Sequence, residues 1–131
     1  MIVADTHIII WDALKPEKLS KKAKAAIKEA NESNGIIFCD ISLWEIAMLI
    51  NRNRVKVDTS YKELISLLFN SNKYILCRID PDIADLSTRI FQKTKNDPAD
   101  KLIASTAVIK KVKLVTADRA MRASKEVTTI W

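Results

Sequence analysis

Apolar residues fall into two rhythms along the chain. Ile2-Val3-Ala4, Ile36-Ile37-Phe38-Cys39, the stretch Tyr74–Ile79 and Leu114–Thr116 are short and nearly continuous. Runs of that kind read as strands buried on both faces. Between them, apolar residues recur at helical spacing. Thr6–Leu14 reads as a short apolar helix that Lys15-Pro16-Glu17 breaks. Ser20 is placed to cap a helix from Lys21 to about Asn31. Ala23, Ala26, Ile27 and Ala30 form its inner stripe, and Lys21, Lys22, Lys24 and Lys28 its wet side. Ser33-Asn34-Gly35 is a turn. Ser42 is expected to cap a helix from Leu43 to about Arg52, apolar nearly all round and so largely buried. A further helix is expected from about Ser60 to Asn70, with Leu64, Ile65, Leu67 and Leu68 inward. Asp80-Pro81 opens one that runs to about Lys93, and Asp97-Pro98 opens another that runs to about Lys110. Asp118–Ala123 reads as a turn or short helix, and Val127–Ile130 as a fifth, edge-like strand. Strands alternating with helices predict an α/β fold, a parallel sheet with helices on both faces. No linker or repeat interrupts it, so residues 1–131 are expected to form a single domain.

Composition narrows the chemistry. With 48% hydrophobic and 29% charged residues, the chain is globular. No apolar run reaches the roughly 18 residues that cross a bilayer. The start lacks a basic segment and a cleavage site, so a cytoplasmic location is expected. Cys39 and Cys77 lie in separate apolar runs and read as buried thiols of a reducing compartment. His7 is the only histidine, which disfavours a histidine-based zinc site and a Ser-His-Asp triad. Gly35 is the only glycine, which rules out a glycine-rich phosphate loop. A formal net charge of +6 favours a polyanionic partner.

The carboxylates carry the sharper signal. In open parallel sheets ligands bind beyond the carboxyl ends of the strands. Asp5 follows the first strand, Glu45 and Asp100 stand in the first turns of helices, and Asp118 follows the fourth strand. Each has a plain alternative as a helix cap. Ser42 and Glu45 have the spacing of a capping box, and Asp97 and Asp100 suit a helix start. Caps usually sit in water, whereas Asp5 and Glu45 are embedded in apolar runs. Clustered carboxylates need protons or cations, and an oxygen-only set points to Mg²⁺ or Mn²⁺.

The chain resembles PIN-domain ribonucleases, and among them the VapC toxins of VapBC toxin–antitoxin pairs. The resemblance rests on Val3-Ala4-Asp5-Thr6-His7 with Trp11, on Ile41-Ser42-Leu43-Trp44-Glu45-Ile46-Ala47, on Asp97-Pro98-Ala99-Asp100-Lys101-Leu102-Ile103-Ala104, and on Leu114-Val115-Thr116-Ala117-Asp118. It runs essentially end to end. It implies a PIN-like three-layer sandwich with a central five-stranded parallel sheet, and a site where Asp5, Glu45, Asp100 and Asp118 hold Mg²⁺ or Mn²⁺. It also implies a homodimer and a VapB-like antitoxin that occludes the site. Many relatives carry Arg where Lys101 stands here. The reaction expected is hydrolysis of RNA phosphodiester bonds. Thr6, Ser42 and Thr116 are candidate hydrogen-bond donors around the acids. Arg52, Arg54, Lys101 and Arg119 are candidates for holding RNA. Trp11, Trp44, Leu49 and Leu67 are candidates for a partner surface, with core packing favoured for Trp44. The rival reading is a non-catalytic RNA- or protein-binding module on the same fold.

Overall fold

The computed structural model describes residues 1–131. The strands are β1 (Ile2–Ala4), β2 (Ile36–Cys39), β3 (Tyr74–Cys77), β4 (Lys113–Val115) and β5 (Thr129–Ile130). They form one parallel sheet in the order β3-β2-β1-β4-β5. Ile2 lies opposite Ile36 on one side and Lys113 on the other. The helices are α1 (Thr6–Leu14), α2 (Lys21–Glu32), α3 (Asp40–Asn51), α4 (Tyr61–Ser71), α5 (Pro81–Ser87), α6 (Pro98–Lys110) and α7 (Arg119–Ala123). None is long and apolar enough to cross a membrane.

The period of two along each strand divides the core. Ile2, Ala4, Ile36, Phe38 and Val115 point to one face, where α1, α2, α3 and α4 cover them. Val3, Ile37, Cys39 and Leu114 point to the other, against α6, α7 and the turn after α5. Phe38 is fully buried, with the rings of Phe69 and Tyr74 at centroid distances of 4.9 and 5.5 Å. Truncating such a ring removes roughly 3–5 kcal/mol. Gly35 enters β2 with φ 98°, and a Cβ there would lie 2.8 Å from the Lys73 carbonyl oxygen. Both facts require glycine at that turn.

Chain order and strand order together fix where a ligand can sit. From β1 the chain works outward to β2 and β3 over the first face. It then crosses to β4, on the other side of β1, over the second. The neighbours β1 and β4 therefore send their following helices to opposite faces. The carboxyl ends of those two strands bound a crevice, the switch point of the sheet.

Several elements depart from the sequence expectation. Helix α3 begins at Asp40 rather than Leu43, because an acid at the first position complements the helix dipole. Ser42 is therefore inside the first turn and caps nothing. Helix α3 is not buried all round. Ser42, Glu45, Ile46 and Leu49 face inward, while Trp44 is 58% exposed. Trp44 lies on the one strip of α3 that no other element covers, so core packing is not its fate. In α4, Leu64 and Leu68 take the inward positions and Leu67 is left 56% exposed. Helix α5 stops at Ser87, well short of Lys93. Phe91 buries its ring in the second core with φ 55°, which helix cannot accommodate. Strand β3 ends at Cys77 and lies at the sheet edge, with Ile75 and Leu76 exposed and Cys77 half-buried. Strands β4 and β5 are one to two residues shorter or shifted against the apolar runs that predict them.

Candidate active site

Asp5 closes β1 and caps α1. Its Oδ1 accepts the Thr6 N–H at 2.8 Å and its Oδ2 accepts the Thr116 hydroxyl at 2.7 Å. Thr116 follows β4, and its Oγ1 in turn accepts the Asp118 N–H at 3.1 Å. Asp118 caps α7 through the Met121 N–H at 2.9 Å. On the other side, the Thr6 hydroxyl donates to Glu45 Oε1 at 2.5 Å. A hydroxyl has one proton to give, so Ser42, at 2.8 Å, donates to Thr6. Asp97 caps α6 through the Ala99 and Asp100 N–H groups, which sets Asp100 in the first turn. The Lys95 ammonium lies 2.7 Å from Asp100 Oδ2 and 2.7 Å from Asp118 Oδ2.

These contacts link the four predicted acids in one unbroken series: Glu45, Thr6, Asp5, Thr116, Asp118, Lys95, Asp100. Asp5, Thr6, Ser42, Glu45 and Thr116 are all buried. The side chains meet in pairs: no three of the acids close around a single point.

Burial and mutual repulsion set the proton affinities. Burial pushes the Asp5 carboxyl up, against the pull of Thr116, His7 and the Thr6 amide. Burial raises Glu45 to about 7, with Asp100, Asp5 and Asp97 adding repulsion and the Thr6 hydroxyl opposing it. Asp100 rises to about 6 through burial, opposed by its bond to Lys95 and reinforced by Asp5 and Asp97. Asp118 goes the other way. Burial would raise it, but the Lys95 ammonium and the Met121 and Ala120 amides together hold it below the usual carboxylate range.

A divalent cation suits this donor set. The donors are carboxylate oxygens alone, they repel one another, and a cation, Lys95, already bridges two of them. Asp5, Glu45 and Asp100 are the groups left with excess charge to share.

The predicted basic residues are spread more widely. Lys101 and Arg119 directly follow Asp100 and Asp118; Lys101 is half-buried and Arg119 exposed. Arg52 and Arg54 lie beyond the far end of α3, about 10 Å of helix or more from Glu45. Arg54 lines a groove of about 980 Å³ with Trp11, Lys15, Lys18 and Leu67; His7 lines it too, but none of the four acids does. A second cavity, of about 550 Å³, lies at the opposite sheet edge beside Met1, Lys113 and Val127. Lys95 is the site residue that sequence reasoning misses. It is one of 22 Lys and Arg residues, and no spacing marks it out.

Known proteins resemble the chain throughout its length. It is 28% identical over 132 residues to Ribonuclease VapC22 of Mycobacterium tuberculosis, covering 99% of this chain and 98% of that one. Its fold matches VapBC2 from Rickettsia felis, bound to a promoter DNA fragment, with TM-score 0.70 and 18% identity over 98% of this chain and 97% of that one. It also matches a toxin–antitoxin complex from Klebsiella pneumoniae, with TM-score 0.67 and 19% identity over 98% and 97% of the two chains. The family model of the PIN domain matches residues 2–126. With that match spanning β1 to β4, all seven helices and all four acids, the chain belongs to the PIN domain family.

Proposed function

We propose that this protein is a metal-dependent endoribonuclease, the toxin of a toxin–antitoxin pair, acting on RNA in the cytoplasm. The observation that carries the reading is the linked series of four carboxylates at the switch point, two buried and two half-buried, coupled by hydroxyls and one lysine. Asp5, Glu45 and Asp100 would hold Mg²⁺ or Mn²⁺, with Asp118 completing the set. When bound, such an ion lowers the pKa of a water and offsets charge developing on the phosphate. The protein's own part is positioning. Thr6 and Thr116 hold the two oxygens of Asp5 in one orientation, and Thr6 at the same time fixes Glu45. Ser42 sets the direction of the Thr6 hydroxyl. Lys101 and Arg119 stand beside the acids to hold flanking phosphates, and the net charge of +6 draws the polyanion in.

The relatives that are toxin–antitoxin complexes support an antitoxin partner. The groove beside Trp11, with Lys15, Lys18, Arg54 and Lys56 around it, suits an acidic, partly apolar segment. Exposed Trp44 and Leu67 suit a partner surface or a homodimer. Light scattering of the protein alone and with a co-expressed upstream protein separates these.

The function is tested by cleavage of a defined RNA by wild-type and Asp5→Asn protein in Mg²⁺, Mn²⁺ or EDTA. The expected outcome is cleavage by the wild type only, and only with metal. Equal cleavage by both proteins counts against the site. A binding module without catalysis would take up no Mn²⁺ in a calorimetric titration.

A further inference from the structure

Lys95 is the only member of the linked series that is neither an acid nor a hydroxyl. Its two contacts of 2.7 Å have the length of charge-assisted hydrogen bonds, and its side chain is 15% exposed. The backbone behind it is pinned. The Thr94 and Lys95 N–H groups both donate to the Phe91 carbonyl at 3.1 Å. Phe91 itself has φ 55°, a ring buried in the second core, and an N–H bonded to Glu126 Oε2 at 3.1 Å. A phenylalanine keeps a left-handed backbone only where its surroundings over-determine it. The turn therefore delivers this lysine to one place, unlike the solvated lysines along α2.

We infer that Lys95 fills the position a second metal ion would take, so that the site holds a single divalent cation and Asp118 acts through Lys95 as a positioning residue. This rests on the nuclease reading and narrows the part of Asp118 in it. Two-metal nucleases place their ions about 3.5–4 Å apart between shared carboxylates. Here Asp100 Oδ2 and Asp118 Oδ2 already share a cation. A second dication at that spot would have to expel the ammonium first. Asp5, Glu45 and Asp100 Oδ1 are the acid groups outside that bridge, and they would draw together on the one ion. Lysine has three N–H donors, and two are engaged, which leaves the third for a phosphate oxygen.

Calorimetric titration of the full chain with Mn²⁺ decides it, using wild type, Lys95→Met, Lys95→Arg and Asp118→Asn, each with a thermal melt. Wild type and Lys95→Arg are expected to take up about one ion per chain, and Lys95→Met about two. Asp118→Asn is expected to keep one ion with a loss of affinity of no more than roughly 10–100-fold, the size of an outer-sphere effect. Two ions in the wild type, or the same count in Lys95→Met as in the wild type, overturns the inference and leaves the nuclease reading standing. If Lys95→Met does not fold, Asp118→Asn decides alone: abolished Mn²⁺ uptake makes Asp118 a ligand and overturns the inference. No uptake by the wild type, together with no metal-dependent cleavage, overturns the nuclease reading and this inference with it.

Discussion

The two halves of the acid series solve one electrostatic problem differently. Asp5 and Glu45 are held by hydroxyls and an amide, and their carboxyls are pushed up. Asp118 is held by an ammonium and pushed down; Asp100, which shares that ammonium, still rises because burial outweighs it. A neutral hydroxyl orients a carboxylate but cannot cancel its charge, so the balance must come from a proton or an added cation. An ammonium cancels charge in place. The half around Asp5 is thus the half that asks for a proton or an added cation, and the half around Asp118 is already provided for.

The sharpest way to break this contrast is Asp5→Asn. Removing the charge from the hydroxyl-held half is expected to reduce metal-dependent RNA cleavage roughly 10²–10³-fold, the scale of losing one preorganised electrostatic group. Circular dichroism would show the fold retained. Next in size is Thr6→Val, which deletes the hydroxyl that donates to Glu45 and leaves the backbone N–H on Asp5 and every charge in place. Mn²⁺ affinity by calorimetry should fall roughly 10–100-fold. An unchanged affinity would mean that the hydroxyls merely fill space.

A smaller effect comes from pH. The carboxyls of Glu45, at about 7, and Asp100, at about 6, lie above their unfolded values. Between about pH 4 and 7 the folded protein then binds more protons than the unfolded chain, so stability in EDTA falls as pH rises. Glu45→Gln should flatten that slope in urea titrations at pH 5 and 8, gaining on the order of 1–2 kcal/mol at the higher pH. Mn²⁺ binding by the wild type should strengthen over the same interval, since it requires the ionised forms. Smallest of all, Trp44→Ala should change stability by no more than about 0.5 kcal/mol in the isolated chain, because that ring is exposed. A loss of several kcal/mol would place Trp44 in a packed interface.

Asp5 and Asp118 stand out in the sequence because each follows an apolar strand run, and Glu45 because it interrupts an apolar helix, where an unsupported charge is costly. The topology is legible for the same reason: continuous apolar runs of strand length alternate with helical spacing. Ser42 misleads because Ser and Glu three residues apart mark a helix start and also share one helix face. Trp44 and Leu67 mislead because periodicity tells which face of a helix is apolar, not how many layers lie over it. Lys95 leaves no trace at all. Its place depends on a long stem and on a turn fixed by Phe91 and Glu126, 35 positions apart in the chain.

The bond between Thr116 and Asp5 joins groups 111 positions apart. During synthesis, Asp5 emerges early and waits without its oxygen partner while nearly the whole polypeptide is made. The full constellation comes together only once Asp118 has left the ribosome. Whatever chemistry the crevice performs is therefore withheld from the nascent chain until its synthesis is all but finished.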